Sequence, residues 1–249
     1  MTSPLSADDL AAARRLIDDA ANVCVFSGAG MSAESGIPTF RDALTGLWAN
    51  YEPADLATPS GWRRDPDLVW GWYRDRAETL RTVEPNDGHR AIADLGRRKK
   101  LAGGRVSIVT QNVDDLHERA GSTVDAHLHG SLIGPRCETC PYRGDADLSL
   151  ARERPRCPRC GASLRPDVVW FGEILPKLAW LNASAAVGQC DLLIIIGTSG
   201  VIRPAANLPL LAAEAGTPII EVNPEPSALT PLATVHLEST AAAALPAIS

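Results

Sequence analysis

The sequence predicts an α/β fold with a doubly wound parallel sheet and two insertions. Three observations carry this. Short apolar, β-branched runs alternate with longer helical patterns, the rhythm of a parallel sheet covered on both faces. The first such run ends on a glycine loop. Two Cys-x-x-Cys pairs then interrupt the rhythm. At ~150 residues per domain, 249 residues make one large domain, or one domain with a small module.

The elements follow in order. Ser6-Ala7-Asp8-Asp9 reads as a capping box opening an amphipathic helix to about Ala20. Residues 22–26 (NVCVF) read as a buried strand that stops at Ser27-Gly28. Further strands are predicted at 105–110, 192–197, 218–222 and 233–237, and helices at 87–99, 177–189 and 204–215. The Ala-rich tail from Ala241 starts a final helix. Residues 46–85 hold four of the six tryptophans and carry helix signals only. Residues 133–165 hold the cysteine pairs and show little apolar periodicity. Both read as insertions, so the α/β domain comprises 1–45, 86–132 and 166–249.

Composition bounds the function. Apolar residues at 45% and charged residues at 22% are ordinary for a globular domain. Thirty acidic against 24 basic residues give a net charge of −6, which disfavours a generally basic nucleic-acid or membrane-surface protein. The longest strongly apolar run, 192–196, is too short to span a bilayer. MTSPLSADDL lacks the basic and apolar regions of a signal peptide, which leads to an expected location in reducing cytoplasm. There, cysteine pairs more often bind metal than form disulfides.

Gly28-Ala29-Gly30-Met31-Ser32-Ala33 fits the loose dinucleotide pattern after a predicted strand. Such glycines let backbone approach a pyrophosphate; the plain alternative is a tight strand-to-helix turn. The acidic residue that ordinary NAD dehydrogenases place ~20 residues on is missing. Glu52 and Asp55 stand there, in a Trp/Pro-rich stretch without a strand. The loop continues to Asp42, dense in polar residues, glycine and proline, as a ligand-covering segment would be. Arg41 would meet a phosphate, or pair with Asp42 at the surface.

Cys137-x-x-Cys140 and Cys157-x-x-Cys160, 16 residues apart, have the spacing of a four-thiolate zinc site. Four protein ligands leave no open position, so the metal is expected to be structural. Seven arginines (136, 143, 152, 154, 156, 159, 165) crowd the module; a solvated charged surface and a nucleic-acid ribbon both fit them. Cys24 and Cys190 lie at or beside buried strands and read as small core residues.

Gln111-Asn112-Val113-Asp114 follows the second strand, at the edge where open parallel sheets bind ligands. Amide and carboxylate groups there suit a carboxamide; they also suit a helix cap running to Arg119. His89, His117 and His236 read as structural, whereas His129, just before Gly130, is placed at the ligand edge, where a near-neutral imidazole can act as a general base.

These residues resemble a family. GAGMSAESGIPTFRD (28–42), TQNVDDLHERAG (110–121), HLHGS (127–131), the cysteine pairs, RPDVVWFGE (165–173), GTS (197–199) and EVNPEP (221–226) resemble the sirtuins in order and spacing, over nearly the whole chain. The resemblance implies a Rossmann-like domain with a small zinc-binding module and a helical insertion. It implies an NAD-dependent protein-lysine deacylase with NAD as co-substrate and one structural Zn2+. The NAD loop would be built from Gly28, Ala29, Gly30, Ser32, Glu34, Ser35, Thr39, Phe40, Arg41 and Trp48. Gln111, Asn112 and Asp114 would hold the nicotinamide side. Gly197, Thr198, Ser199, Asn223, Pro224, Glu225 and Ala241 would line the adenosine side. His129 falls on the catalytic histidine, which would deprotonate ribose hydroxyls once the acyl oxygen has displaced nicotinamide. Products would be free lysine, nicotinamide and O-acyl-ADP-ribose.

Tyr73 and Arg76 are three apart and share a helix face. This Y-x-x-R resembles the class III sirtuins, which remove succinyl, malonyl and related acidic groups; a guanidinium with a tyrosine hydroxyl matches a carboxylate. Ala57 aligns with the small residue that widens that pocket, and Thr39 replaces an aspartate common in other sirtuins. The alternative is a surface arginine beside Asp75 and a core aromatic. Bacterial members of this class often remove acetyl as well. Other readings are a sirtuin acting mainly as a deacetylase or as an ADP-ribosyltransferase. Acyl-lysine proteins or peptides are the expected partners, with no membrane and no specific nucleic acid. They would add as a strand along Val168, Phe171, Gly172 and Glu173, and along 200–203, where Arg203 replaces a usual tyrosine.

Overall fold

The computed structural model describes residues 5–38, 51–144, 147–151 and 153–249. Thr39, Phe40, Arg41 and Trp48, expected in the NAD loop, lie outside the described residues.

Six strands form one parallel sheet: β1 (Asn22–Ser27), β2 (Arg105–Thr110), β3 (Ala126–His127), β6 (Leu192–Ile196), β7 (Ile219–Asn223) and β8 (Val235–Glu238). The order is β3-β2-β1-β6-β7-β8, so the chain runs outward from β1 on one side and then from β6 on the other. The switch point lies between β1 and β6, where an open parallel sheet leaves a ligand crevice. Strand side chains alternate between the two faces. Val23 and Val25 of β1 join Leu192, Ile194 and Ile196 of β6 in one core; Cys24 and Phe26 join Leu193 and Ile195 in the other. Helices α1 (Ala7–Asp19), α6 (Asp87–Leu101) and α10 (Ala241–Ile248) cover the first face. Helices α8 (Lys177–Gly188) and α9 (Leu208–Glu214) cover the second. Burial on both faces explains why the strands read as continuous apolar runs.

Ser6 caps α1, its hydroxyl accepting from the Asp9 amide at 3.4 Å. The helix expected at 204–215 begins late, as a 3-10 turn at Ala205–Asn207 followed by α9. Pro209 has no N–H to give an interior turn and therefore takes the first turn of the α-helix. The helix expected up to Arg119 shrinks to α7 (Leu116–Arg119), because residues 111–114 are drawn into the crevice.

The two insertions meet. Short helices α3 (Pro53–Leu56) and α4 (Pro59–Arg64) lead into α5 (Pro66–Thr82), capped by Asp65 accepting from the Leu68 amide. The cysteine module hangs from an antiparallel pair, β4 (Gly130–Cys137) and β5 (Leu164–Val168). Trp62, Trp70, Trp72 and Tyr73 from the helices share a core with Leu132, Leu148, Val168 and Trp170. Helical insertion and strand pair thus form one cap over the crevice.

The glycine loop has a reason beyond ligand approach. Gly30 donates its amide to the Gly197 carbonyl at 2.8 Å, and Gly28 to that of Ile196 at 2.9 Å. A Cβ on Gly197, whose φ is +57°, would sit 2.5 Å from the Gly30 carbonyl carbon. A Cβ on Gly30 would sit 2.7 Å from the Gly197 Cα. Only glycines let the turns after β1 and β6 touch backbone to backbone.

Gly197→Ala is therefore expected to lower the thermal midpoint by more than about 4 °C, from a loss of roughly 2 kcal/mol or more. Gly216→Ala, at φ +74° in open space, bears only the backbone penalty. Thermal melting checks this; an equal loss in both variants would overturn the close-packing account.

Candidate active site

The crevice begins with residues 111–114, just past β2. The Gln111 side chain donates to the Thr198 hydroxyl at 3.0 Å, bridging the loops after β2 and β6. Asn112 donates to the Ser32 hydroxyl at 3.1 Å, and Ser32 donates to Asp114 at 2.9 Å. All three residues are buried. Burial raises the Asp114 pKa, against the hydrogen bonds from the Leu116 amide and Ser32. The other Asp114 oxygen accepts from the Leu116 amide at 3.2 Å, so Asp114 also caps α7. Asp114 thus meets the first turn of α7, whereas the Asn112 side chain stays within the crevice.

His129 is tied to the same loop. Its Nδ1 lies 3.0 Å from the Gln111 carbonyl, an acceptor, so Nδ1 carries the proton and donates. Nε2 has no hydrogen bond among the described residues, and its lone pair is free. Burial lowers the His129 pKa, more than the hydrogen bond to Gln111 raises it. The imidazole is neutral near pH 7 and basic at Nε2. His127 differs. Its Nε2 lies 2.7 Å from Glu118 and its Nδ1 lies 3.1 Å from the Asn112 carbonyl. Burial opposes charge on His127, but the hydrogen bond and charge of Glu118 outweigh it and raise the pKa. Of the HLH pair, only His129 has the form of a free base. His117 and His89 stack edge-on at 4.9 Å beneath the crevice; burial pushes their pKa values down to about 3 and about 4.

The loop residues expected at NAD divide. The Ser35 hydroxyl is buried and has no hydrogen-bond partner among the described residues, which suits an incoming acceptor such as a phosphate. Gly28, Ala29 and Gly30 form the turn described above. Glu34 instead accepts from the Ala242 amide at 2.8 Å, spending its carboxylate at the start of α10. Asn223 donates to the Thr198 carbonyl at 3.1 Å, and the Ser199 carbonyl accepts from Ala228. Pro224 and Glu225 are exposed past β7; Ala241 is buried at the start of α10.

The residues expected at the acyl pocket come together in the cap. Tyr73 is buried, and its oxygen accepts from the Trp170 indole N–H at 3.0 Å. Burial raises the Tyr73 hydroxyl pKa, so it stays protonated. Arg76 lies 4.9 Å over the Trp72 ring. Its Nη1 is buried with no hydrogen-bond partner among the described residues, and burial works against its charge. Asp75 pairs with Arg74 at 2.8 Å instead, so the surface ion-pair alternative for Arg76 fails. Ala57 is buried, and its carbonyl accepts from the Phe171 amide at 2.9 Å.

Of the segment expected to hold peptide, Val168 is buried and pairs with Gly130. Gly172 has φ +88°, turning the chain at the end of the segment. The Glu173 carboxylate binds Arg165 at 2.6 Å, Arg136 at 3.1 Å and the Trp170 amide at 2.9 Å. Its side chain therefore clamps the turn. Arg203 is exposed and donates to Asn207 at 3.0 Å. Trp170 was not marked by sequence reasoning. Its signal was a lone tryptophan amid the residues of the expected peptide edge.

Cys137, Cys140, Cys157 and Cys160 converge, their sulfurs all within 4.8 Å of one another. Tetrahedral Zn–S bonds of about 2.3 Å require sulfurs roughly 3.8 Å apart. Two of the contacts are 3.5 and 3.6 Å. Amides of Thr139 and Cys140 point at the Cys137 sulfur, as a thiolate knuckle needs. The donor set fits zinc. The module's arginines are largely spent on ion pairs: Arg136 and Arg143 with Asp167, Arg154 with Asp67 and Arg165 with Glu173.

A Sir2 family profile matches residues 28–204. The chain is 56% identical over 225 residues, 87% of its length and 86% of the relative's, to NAD-dependent protein deacylase 1 of Pseudomonas aeruginosa. Its fold superposes on a Sir2 homologue in complex with NAD with a TM-score of 0.88 and 42% identity, covering 94% of this chain and 90% of that one. A Sir2 protein bound to a myristoylated histone peptide gives a TM-score of 0.77 and 32% identity, covering 98% and 95%.

Elemental analysis of the purified protein is expected to give one zinc per chain. Cys157→Ser should reduce that occupancy and lower the thermal midpoint. Metal-free protein that melts at the same temperature as the zinc-loaded form would overturn the four-thiolate site.

Proposed function

The chain belongs to the Sir2 family and is an NAD-dependent protein deacylase, and from that premise we propose that it removes succinyl and malonyl groups from lysine, with acetyl as a further substrate. The observation that carries the acyl assignment is Arg76: a buried guanidinium nitrogen without a partner among the described residues, on the same helix face as a buried, protonated tyrosine hydroxyl. An acyl chain ending in a carboxylate would supply the missing acceptor. A charge-assisted hydrogen bond formed there contributes about 1.5–3 kcal/mol. Small Ala57 in the pocket wall leaves room for the longer acyl chain.

Histone-peptide binding by a related Sir2 protein supports acyl-lysine in a peptide as the substrate form. NAD supplies the ribose that accepts the acyl group. The chain's residues do the rest. Asn112, Ser32 and Asp114 present a fixed set of donors and acceptors to the nicotinamide carboxamide, and Ser35 offers its hydroxyl to the phosphates. The Gln111 carbonyl fixes the His129 tautomer, leaving Nε2 to take a ribose proton. The cap excludes water while the acyl oxygen and the sugar react. The cysteine module, with four ligands and no open position, takes no part in this chemistry.

The direct test incubates protein and NAD with matched acetyl-, succinyl- and malonyl-lysine peptides and follows O-acyl-ADP-ribose by mass spectrometry. Succinyl and malonyl products are expected, and their absence would overturn the acid-pocket reading. Arg76→Met should lower the succinyl-to-acetyl ratio of kcat/KM at least about ten-fold; an unchanged ratio would remove Arg76 from the pocket.

His129→Ala should cut every deacylation by at least about 100-fold. In the intact enzyme, the lowered pKa means that His129 is already a base near neutrality. Activity is lost only as pH falls through that pKa, so the acid limb of kcat/KM, which reports the free enzyme, should have its midpoint below 6.5. A midpoint at or above 6.5 would assign the limb to another group.

A further inference from the structure

We propose that Trp170 is the positioning residue that gives the acyl pocket its acid specificity, by fixing which way the Tyr73 hydroxyl points. This rests on the acid-pocket reading and deepens it. A tyrosine hydroxyl can donate one hydrogen bond and accept others, and its proton turns to suit its neighbours. To receive a carboxylate, the proton must point into the pocket. The Trp170 indole nitrogen can only donate, and it lies 3.0 Å from the Tyr73 oxygen. Its N–H therefore occupies a lone pair of that oxygen and makes Tyr73 an acceptor on one side. The Tyr73 proton is left to donate elsewhere, and no other acceptor meets it among the described residues. Arg76 follows one helical turn later with a buried Nη1 that has no partner among the described residues. The two donors are set for one dicarboxylic acyl group.

The tryptophan is itself held on several sides. The Arg165 guanidinium carbon lies 3.2 Å above its ring. Glu173 accepts from both Arg165 and the Trp170 amide, at 2.6 and 2.9 Å. Trp62 packs against the ring at 5.4 Å. On the chain's other flank, the Val169 amide donates to the His129 carbonyl at 2.9 Å. The indole is thus anchored to the zinc-module strands and registered to the base. Phenylalanine would keep an aromatic ring beneath Arg165 but lose the N–H and part of the ring's volume, a packing loss that the double-mutant cycle below separates from the lost hydrogen bond. The Tyr73 proton would then be free to turn, and each bound carboxylate would have to reorder it.

The test is a double-mutant cycle on full-length, zinc-loaded protein with matched succinyl- and acetyl-lysine peptides. Trp170→Phe should raise the ratio of succinyl KM to acetyl KM about five-fold, the equivalent of one neutral hydrogen bond. Tyr73→Phe should do at least as much. In the Tyr73→Phe background, Trp170→Phe should change the ratio less than two-fold, because no hydroxyl remains to be oriented. A ratio that stays put in Trp170→Phe, or shifts equally in both backgrounds, would overturn the proposal and leave Trp170 a packing residue. Failure of the acid-pocket reading is distinguishable: wild-type protein without succinyl turnover, or an Arg76→Met kcat/KM ratio that stays put, would remove the pocket itself, whereas an Arg76→Met ratio that falls while that of Trp170→Phe stays put would overturn only the role of Trp170.

Discussion

Backbone touches backbone where β1 and β6 end, and the site depends on that contact. Gly28 and Gly30 on one turn and Gly197 on the other leave no volume between them. The contact sits at the topological switch point of the sheet, so closing it also sets the floor of the crevice. From that floor the rest is built outward by hydrogen bonds. Thr198, next to Gly197, accepts from Gln111; Gln111 fixes His129; Ser32, two residues after Gly30, joins Asn112 to Asp114. A dinucleotide site usually discussed as a cradle for phosphates is here first a solution to a protein packing problem.

The second dependence runs through the four residues after β5. Val169 meets the His129 carbonyl, Phe171 meets that of Ala57, and between them the Trp170 ring meets Tyr73. One extended stretch therefore places base, pocket wall and pocket hydroxyl relative to one another. Since β5 carries the stretch and pairs with β4, the strand that leads into the first cysteine pair, the cysteine module is tied structurally to the proposed acyl pocket. Remote reinforcement of this kind is how a site on loops gains the rigidity of a sheet.

Much of this was legible in the chain. The five longer strands of the sheet were legible as short apolar or β-branched runs, most plainly β1 and β6, where burial on both faces makes the run continuous. The cysteine spacing named its own geometry, and His129 stood out by its position before Gly130. What sequence could not carry was short, irregular or long-range. β3 has two residues, too few to show a period. β4 carries Gly134 and Pro135 and an irregular register, so its pairing with β5 has no alternating signature. Glu34 and Glu173, expected at ligand and substrate, also hold Ala242, Arg165 and Arg136, partners settled only by folding. Trp170 escaped notice for the same reason: its meaning lies in a hydroxyl 97 positions away.

The partner that orients His129 is a main-chain carbonyl, whereas the groups proposed to meet the acyl end are side chains. That division has an evolutionary consequence. A point substitution at position 111 alters the amide tip but leaves its carbonyl in place, so the proton-transfer apparatus is insulated from most single-codon changes. Tyr73, Arg76 and Trp170 have no such protection. Substrate choice in this scaffold is therefore free to drift, one replacement at a time, while the base that serves every acyl group stays tuned.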